Sequence, residues 1–140
     1  MNHSRSDSDI QFQTSVEDCS LPVEDFTHRA HLRLAYCYLT QNSPEESFQQ
    51  MTSALKNLLA HNQVDPGKYH VTLTLAWLLA VNHFMQNTVA SVDADSFIQS
   101  HEQLMDVNLL ETHYSQSLLY SDKAREHFVE PDISPIPTYG

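Results

Sequence analysis

Between residues 48 and 59 the apolar side chains fall at Phe48, Met51, Leu55, Leu58 and Leu59. That spacing (i, i+3, i+7, i+10, i+11) puts them on one stripe of an amphipathic helix. The preceding NSPEES supplies its start, with Ser43 as N-cap, Pro44 at the first helical position and Glu46 completing a capping box. HNQVDPGK then breaks it. Residues 68–86, containing VTLTLAWLLAV, are apolar nearly all round, as in a helix enclosed by others. Before these, residues 25–41 read as a helix with Asp25 as N-cap. After them, the polar loop NTVASVDAD leads to a fourth helix near 96–105. Shorter helical pieces are expected at 107–114 and, capped by Ser121, at 122–129.

The ends of the chain differ from this middle. Residues 1–22 are rich in Ser, Asp, Gln and Asn and read as a mobile polar arm. The tail EPDISPIPTYG has Pro131, Pro135 and Pro137 and must be extended. Ile133 and Ile136 make it apolar enough to dock across the helices, over a pocket, as a strap. The expected fold is therefore all-α: residues 23–140 as one compact bundle of about four principal helices, with short C-terminal helices and a Pro-rich tail. Leu32, Leu39, Leu55, Leu58, Leu73, Ala76, Trp77, Ala80 and Phe84 form the expected core.

Composition narrows the partners. The chain has 140 residues, enough for one domain with a real core, and only 2 glycines, which favours helix over sheet. A formal charge of −11 argues against nucleic acid or an anionic membrane surface. VTLTLAWLLAV is about half the ~20 residues a spanning helix needs, so it reads as a core segment. Cys19 and Cys37 make no disulfide framework, and MNHSRSDSDIQFQ has no apolar secretory core, so a cytoplasmic location is expected. No glycine-rich phosphate loop, nucleophile elbow or internal repeat is present.

The chemistry lies in the histidines. FTHRAHLRLAYCYL places His28 and His31 three apart, helix neighbours whose rings can converge on one metal ion. With 9 histidines in the chain, spacing alone is a weak signal. Helical geometry says more. Arg29 and Arg33 lie about 40° apart and mark the solvent side, so both imidazoles face inward. The positive end of the helix dipole disfavours an imidazolium there and favours the neutral form a metal needs. Two hydrogen-bonded core histidines are the equal alternative. His70 opens the central helix, and His113 follows Leu109 and Leu110; each alone reads as structural or solvated. His3 lies in the arm, His61 and His127 end helices, and His83 and His101 sit on amphipathic helices.

Taken together, FTHRAHLRLAYCYL, KYHVTLTLAW, HYS and AREHFVEPDISPIP resemble a family of small, essentially uncharacterised bacterial all-helical proteins over about residues 23–137. The family's four histidines map onto His28, His31, His70 and His113, and the resemblance implies that these four act together. Many members have glutamate after the YH, where this chain has Val71, so a carboxylate ligand or base is not expected at that position. Such an imidazole set suits zinc, iron or copper rather than magnesium or calcium. Three imidazoles plus water leave the open position of a catalytic metal, whereas four close a structural or storage site. Glu24, Asp25 and Glu111 could accept an imidazole N–H, and Tyr38, Tyr69 or Tyr114 could serve as proton donor. Three functions follow: a metal-dependent enzyme acting on a small molecule, a metal-binding or accessory protein without turnover, and a helical interaction module whose histidines are core residues.

Overall fold

The computed structural model describes residues 2–136; the end of the tail, 137–140, lies outside the described residues. Seven α-helices follow one another: α1 (Asp7–Glu17), α2 (His28–Leu39), α3 (Pro44–His61), α4 (Val71–Gln86), α5 (Ala94–Ser100), α6 (Gln116–Leu119) and α7 (Asp122–Glu126). Single 3₁₀ turns occupy Val23–Asp25, Pro66–Lys68, Glu102–Met105 and Leu109–Thr112. Among the described residues there is no strand, so the all-α expectation holds.

The helix starts show how local chemistry sets the boundaries. The α3 start follows NSPEES in part: Ser43 accepts from the Glu46 N–H and Pro44 takes the first helical position, while the Glu46 side chain makes no return bond to Ser43. α2 begins three residues later than expected. Asp25 closes the Val23–Asp25 turn instead, and extended Thr27 caps the helix by accepting from the Ala30 N–H. α3 is closed just past its Asn62 cap by Gln63, which takes a left-handed φ of 58°; the Val64 N–H reaches the Leu59 carbonyl and the Gln63 N–H that of Ala60. The expected fourth helix divides, α5 giving way at His101 to a 3₁₀ turn. α6, capped by Ser115, was not legible in the sequence.

α4 is the central element and packs against α2, α3 and α7. Six of the nine expected core residues are buried: Leu32, Leu55, Leu58, Ala76, Trp77 and Ala80. Leu39, Leu73 and Phe84 are half-buried and pack against that core. No helix among the described residues is long and apolar enough to cross a membrane.

The polar arm is corrected by the structure. Residues 7–17 form α1, which packs on α2 and α3. Its apolar periodicity is weak because polar side chains fill part of the buried face: Asp9 and Gln13 are buried beside Val16. Asp9 closes a capping box with Ser6 and accepts from Arg33 Nε at 2.9 Å and from the Ala94 N–H at 2.9 Å. Arg33, expected toward solvent, is covered by α1, with its guanidinium 4.6 Å from the Phe12 ring centre. Further upstream, the Ser4 N–H donates to the Ser91 carbonyl and Tyr36 Oη donates to the Ser4 carbonyl. Composition predicts disorder only when the polar groups lack partners, and these have them.

The tail docks as a strap, though away from the cavities described below. Tyr114 Oη donates to the Val129 carbonyl at 2.7 Å. Thr72 Oγ1 donates to the His127 carbonyl and accepts from the Val129 N–H. Asp132 accepts from the Ser115 N–H and Oγ, and the Ile133 and Ser134 N–H groups donate to the His113 carbonyl. Ile136 packs on the core, whereas Ile133 is 60% exposed. A chain ending at Glu130 loses the Asp132, Ile133 and Ser134 bonds together with the Ile136 contact. It should be less stable by about 1–3 kcal/mol, given roughly 0.5–1.5 kcal/mol per hydrogen bond with partial replacement by water. Urea unfolding of the truncated and full chains measures this; coincident curves would show that the strap only lies on the surface.

Candidate functional site

The four histidines singled out by the sequence occupy four different settings. His28, the first residue of α2, sets its ring edge-on against Trp77, with centroids 4.5 Å apart. Its Nε2 bonds the Leu104 carbonyl at 2.8 Å, so that nitrogen carries the proton. His113 follows the Leu109–Thr112 turn, and its Nδ1 donates to the Ser134 carbonyl, clipping the tail. His70 is the N-cap of α4: its Nδ1 accepts from the Leu73 N–H at 3.0 Å and its Nε2 donates to the Leu119 carbonyl at 2.9 Å. Both of its nitrogens are therefore used. Burial lowers its pKa, the Leu119 carbonyl offsets this only in part, and Arg125 adds to the lowering.

His31 is different. One turn beyond His28, it packs beside Phe26, and its Nε2 is sealed from solvent without a hydrogen-bond partner. Burial pushes its pKa down to about 4, with the neighbouring His28 charge a lesser cause, so the ring is neutral at pH 7. Both His28 and His31 point inward, as the helical geometry of α2 required.

His31 and His70 line one cavity of about 250 Å³, walled by Phe26, Leu55, Leu58, Leu73 and Tyr69. A larger cavity of about 650 Å³ adjoins it and shares Leu59 and Tyr69. It is bounded by the second half of α3, the Pro66–Lys68 turn and α7. Val71, where the resemblance implied glutamate in many members, lines this larger space. Neither cavity could be read from sequence: the smaller forms where α2, α3 and the start of α4 meet, and the larger only when α7 folds back toward α3.

The structure does not bring the four imidazoles into one ligand set. Among the described residues no group of three or more His, Cys, Asp or Glu side chains is arranged to hold a metal ion. As arranged, these residues do not fit a four-imidazole centre, since His70 would have to release its cap and His113 its clip. The supporting residues are also engaged elsewhere. Glu111 accepts from the Gln116 amide, Tyr38 Oη donates to Glu17, the Tyr69 hydroxyl bonds Thr52 and that of Tyr114 bonds Val129. Cys37 is buried, and burial pushes its thiol up to about 12, so it carries no thiolate at neutral pH.

Two histidines read as bland are more structural than their sequence context suggested. His3 bonds the Met85 carbonyl through Nε2 and accepts from the Ser91 N–H through Nδ1. His101 is buried against the Phe84 and Phe97 rings. Each lies beside polar residues in the chain, and only the fold supplies its apolar neighbours.

The depressed His31 pKa makes a prediction about acid stability. A histidine whose folded pKa lies below its unfolded value of 6.5 binds fewer protons when folded. Its stabilising contribution is thus fully present above pH 6.5 and is lost as pH falls toward about 4. The loss should be on the order of 3 kcal/mol. Urea midpoints between pH 4 and 8 should fall more steeply for the natural chain than for His31→Leu. Parallel pH profiles would assign the acid sensitivity elsewhere.

No protein-family model matches the chain, and no curated protein or solved structure gives a significant match. The family resemblance rests on its motifs.

Proposed function

We propose that this protein binds a small, largely apolar organic molecule in the paired cavities, the smaller between α2, α3 and the start of α4 and the larger between α3, the Pro66–Lys68 turn and α7, with His31 as the hydrogen-bonding group. One observation carries this reading: His31 Nε2 is buried and unpartnered in a residue that lines a cavity. An unsatisfied buried polar atom costs about 1–3 kcal/mol, and a ligand hydroxyl or carbonyl would recover it. Apolar walls with a few polar groups are the usual make-up of a small-molecule site. The reading is one of binding, not turnover. Among the described residues no carboxylate is hydrogen-bonded to His31, whose Nε2 has no partner to orient the ring as a general base.

Octan-1-ol, with one hydroxyl on an apolar chain, is a suitable probe. It should raise the melting temperature saturably and move the His31 ring ¹⁵N resonances, and His31→Leu should lose both responses. No response in the natural chain, or an equal one in the variant, overturns the reading.

A transition-metal site is the second reading, favoured by His31 and His70 lining one cavity. Zinc, iron or copper would need His70 to leave the Leu73 N–H and Leu119 carbonyl and converge on the ion with His31. Protein purified without a histidine tag should then load one equivalent at neutral pH, and His31→Ala or His70→Ala should abolish loading while His61→Ala leaves it intact. Failure to load the natural chain excludes this reading.

A further inference from the structure

The chain is strongly acidic, with 7 Lys and Arg against 18 Asp and Glu, so the placement of each cation is informative. Three are committed in the N-terminal half: Arg5 to Gln13, Arg29 to Asp95 and Arg33 to Asp9. Of the other four, Lys56 and Arg125 line the larger cavity and Lys68 the smaller one. Lys56 has no carboxylate within ion-pair distance among the described residues, and its ammonium stands 5.3 Å from the centre of the Tyr69 ring, the wall shared by both cavities. Among the described residues the only carboxylate within ion-pair distance of Arg125 is Asp122, at 3.8 Å, longer than the about 2.7–2.9 Å of a charge-assisted hydrogen bond.

Two carboxylates also border this cavity, Asp122 and Glu126. Asp122, Glu126, Lys56 and Arg125 are all exposed at this mouth, so water screens charges of both signs there. The two carboxylates set a limit on the guest. A polyanion such as a nucleotide would meet both carboxylates and the net charge of −11, whereas a single negative charge has two cations, Lys56 and Arg125, on the same cavity lining to pair with.

We propose that the paired cavities take a molecule with an apolar body, a single carboxylate at one end and a hydroxyl or carbonyl at the other. The carboxylate pairs with Lys56 and Arg125 at the mouth of the larger cavity. The body runs along Leu59, Val64 and Tyr69, and the far polar group meets His31. This deepens the binding reading above and rests on it, naming the class of ligand.

The test uses the full chain and four probes of one chain length: 8-hydroxyoctanoate, octanoate, octan-1-ol and 8-aminooctan-1-ol. Isothermal titration at pH 7 and low salt should find 8-hydroxyoctanoate the tightest, at least about tenfold tighter than octan-1-ol. Lys56→Gln and Arg125→Gln should each remove most of that advantage, read as the ratio of hydroxy-acid to alcohol affinity within each variant, and added salt should reduce the ratio as well. Equal binding of hydroxy acid and alcohol, insensitive to both variants, would overturn the carboxylate assignment while the His31 cavity reading stood. Tightest binding of the amino alcohol would place Asp122 and Glu126 in control and overturn it too. No binding by any probe would remove both readings together.

Discussion

Replacing Trp77 by alanine should destabilise the protein by about 3–5 kcal/mol, the range for truncating a large core aromatic. Trp77 is 4% exposed in the middle of α4, the helix that packs against α2, α3 and α7. Its removal loses the transfer free energy of a large aromatic surface and leaves a cavity, because helices fixed at both ends relax only partly. It also strips the His28 ring of its edge-on partner and loosens the start of α2, where His31 stands one turn away. Urea unfolding followed by circular dichroism measures the loss. Trp77→Phe, which keeps an aromatic filler, should cost much less, about 1–1.5 kcal/mol. If the alanine variant falls by under 1 kcal/mol, α4 is not the centre of the fold. Should that variant fail to fold, the phenylalanine variant still reports the packing.

The second large effect is expected at Asp9→Ala, also about 3–5 kcal/mol, the cost of breaking a buried ion pair by removing one partner. Asp9 is 2% exposed and joins three parts of the chain: its own helix start through Ser6, α2 through Arg33 and the α5 start through the Ala94 N–H. Alanine leaves the Arg33 guanidinium and a buried N–H without their acceptor. The carboxyl also makes a pH prediction. Burial alone would raise its pKa, but the Ala94 and Ser6 N–H groups and Arg33 outweigh burial and hold it below the usual 3.8. A carboxyl lowered on folding stabilises above its unfolded pKa, and that contribution is lost as pH falls through the lower folded value. Between neutral pH and pH 5 the Asp9 contribution should therefore be constant, and it should fade only below about pH 4. Limited proteolysis gives an independent readout, since Asp9→Ala should expose α1 to cleavage before the rest of the chain. A variant that keeps α1 protected and loses under 1 kcal/mol would show that the pair is incidental.

These two residues also show where the chain could be read and where it could not. Trp77 was legible because an apolar run flanked by amphipathic segments has one economical arrangement, enclosed by them. Asp9 was not, because a polar residue near an N-terminus looks like solvent-exposed chain until its partners, far away in sequence, are known. The same contrast runs through the candidate site. The spacing of His28 and His31 and the positions of Arg29 and Arg33 predicted two imidazoles facing inward, and both do. Nothing in the spacing could say that His28 would meet Leu104, that His70 would spend both nitrogens on backbone groups, or that His113 would hold the tail. His31 is set apart from the other three only by what fails to reach its Nε2.

Helix identity, the enclosed position of α4 and the Ser43 and Ser121 caps follow from local rules, because periodicity and capping act over a few residues and need no distant partner. The burial of α1, the cap made by His70, the separate fates of the four histidines and the cavities between α3, α4 and α7 depend on groups dozens of residues apart. Such contacts form only when the whole chain closes, and it is that closure, through the geometry of packing, that decides which imidazole is satisfied and which is left without a partner.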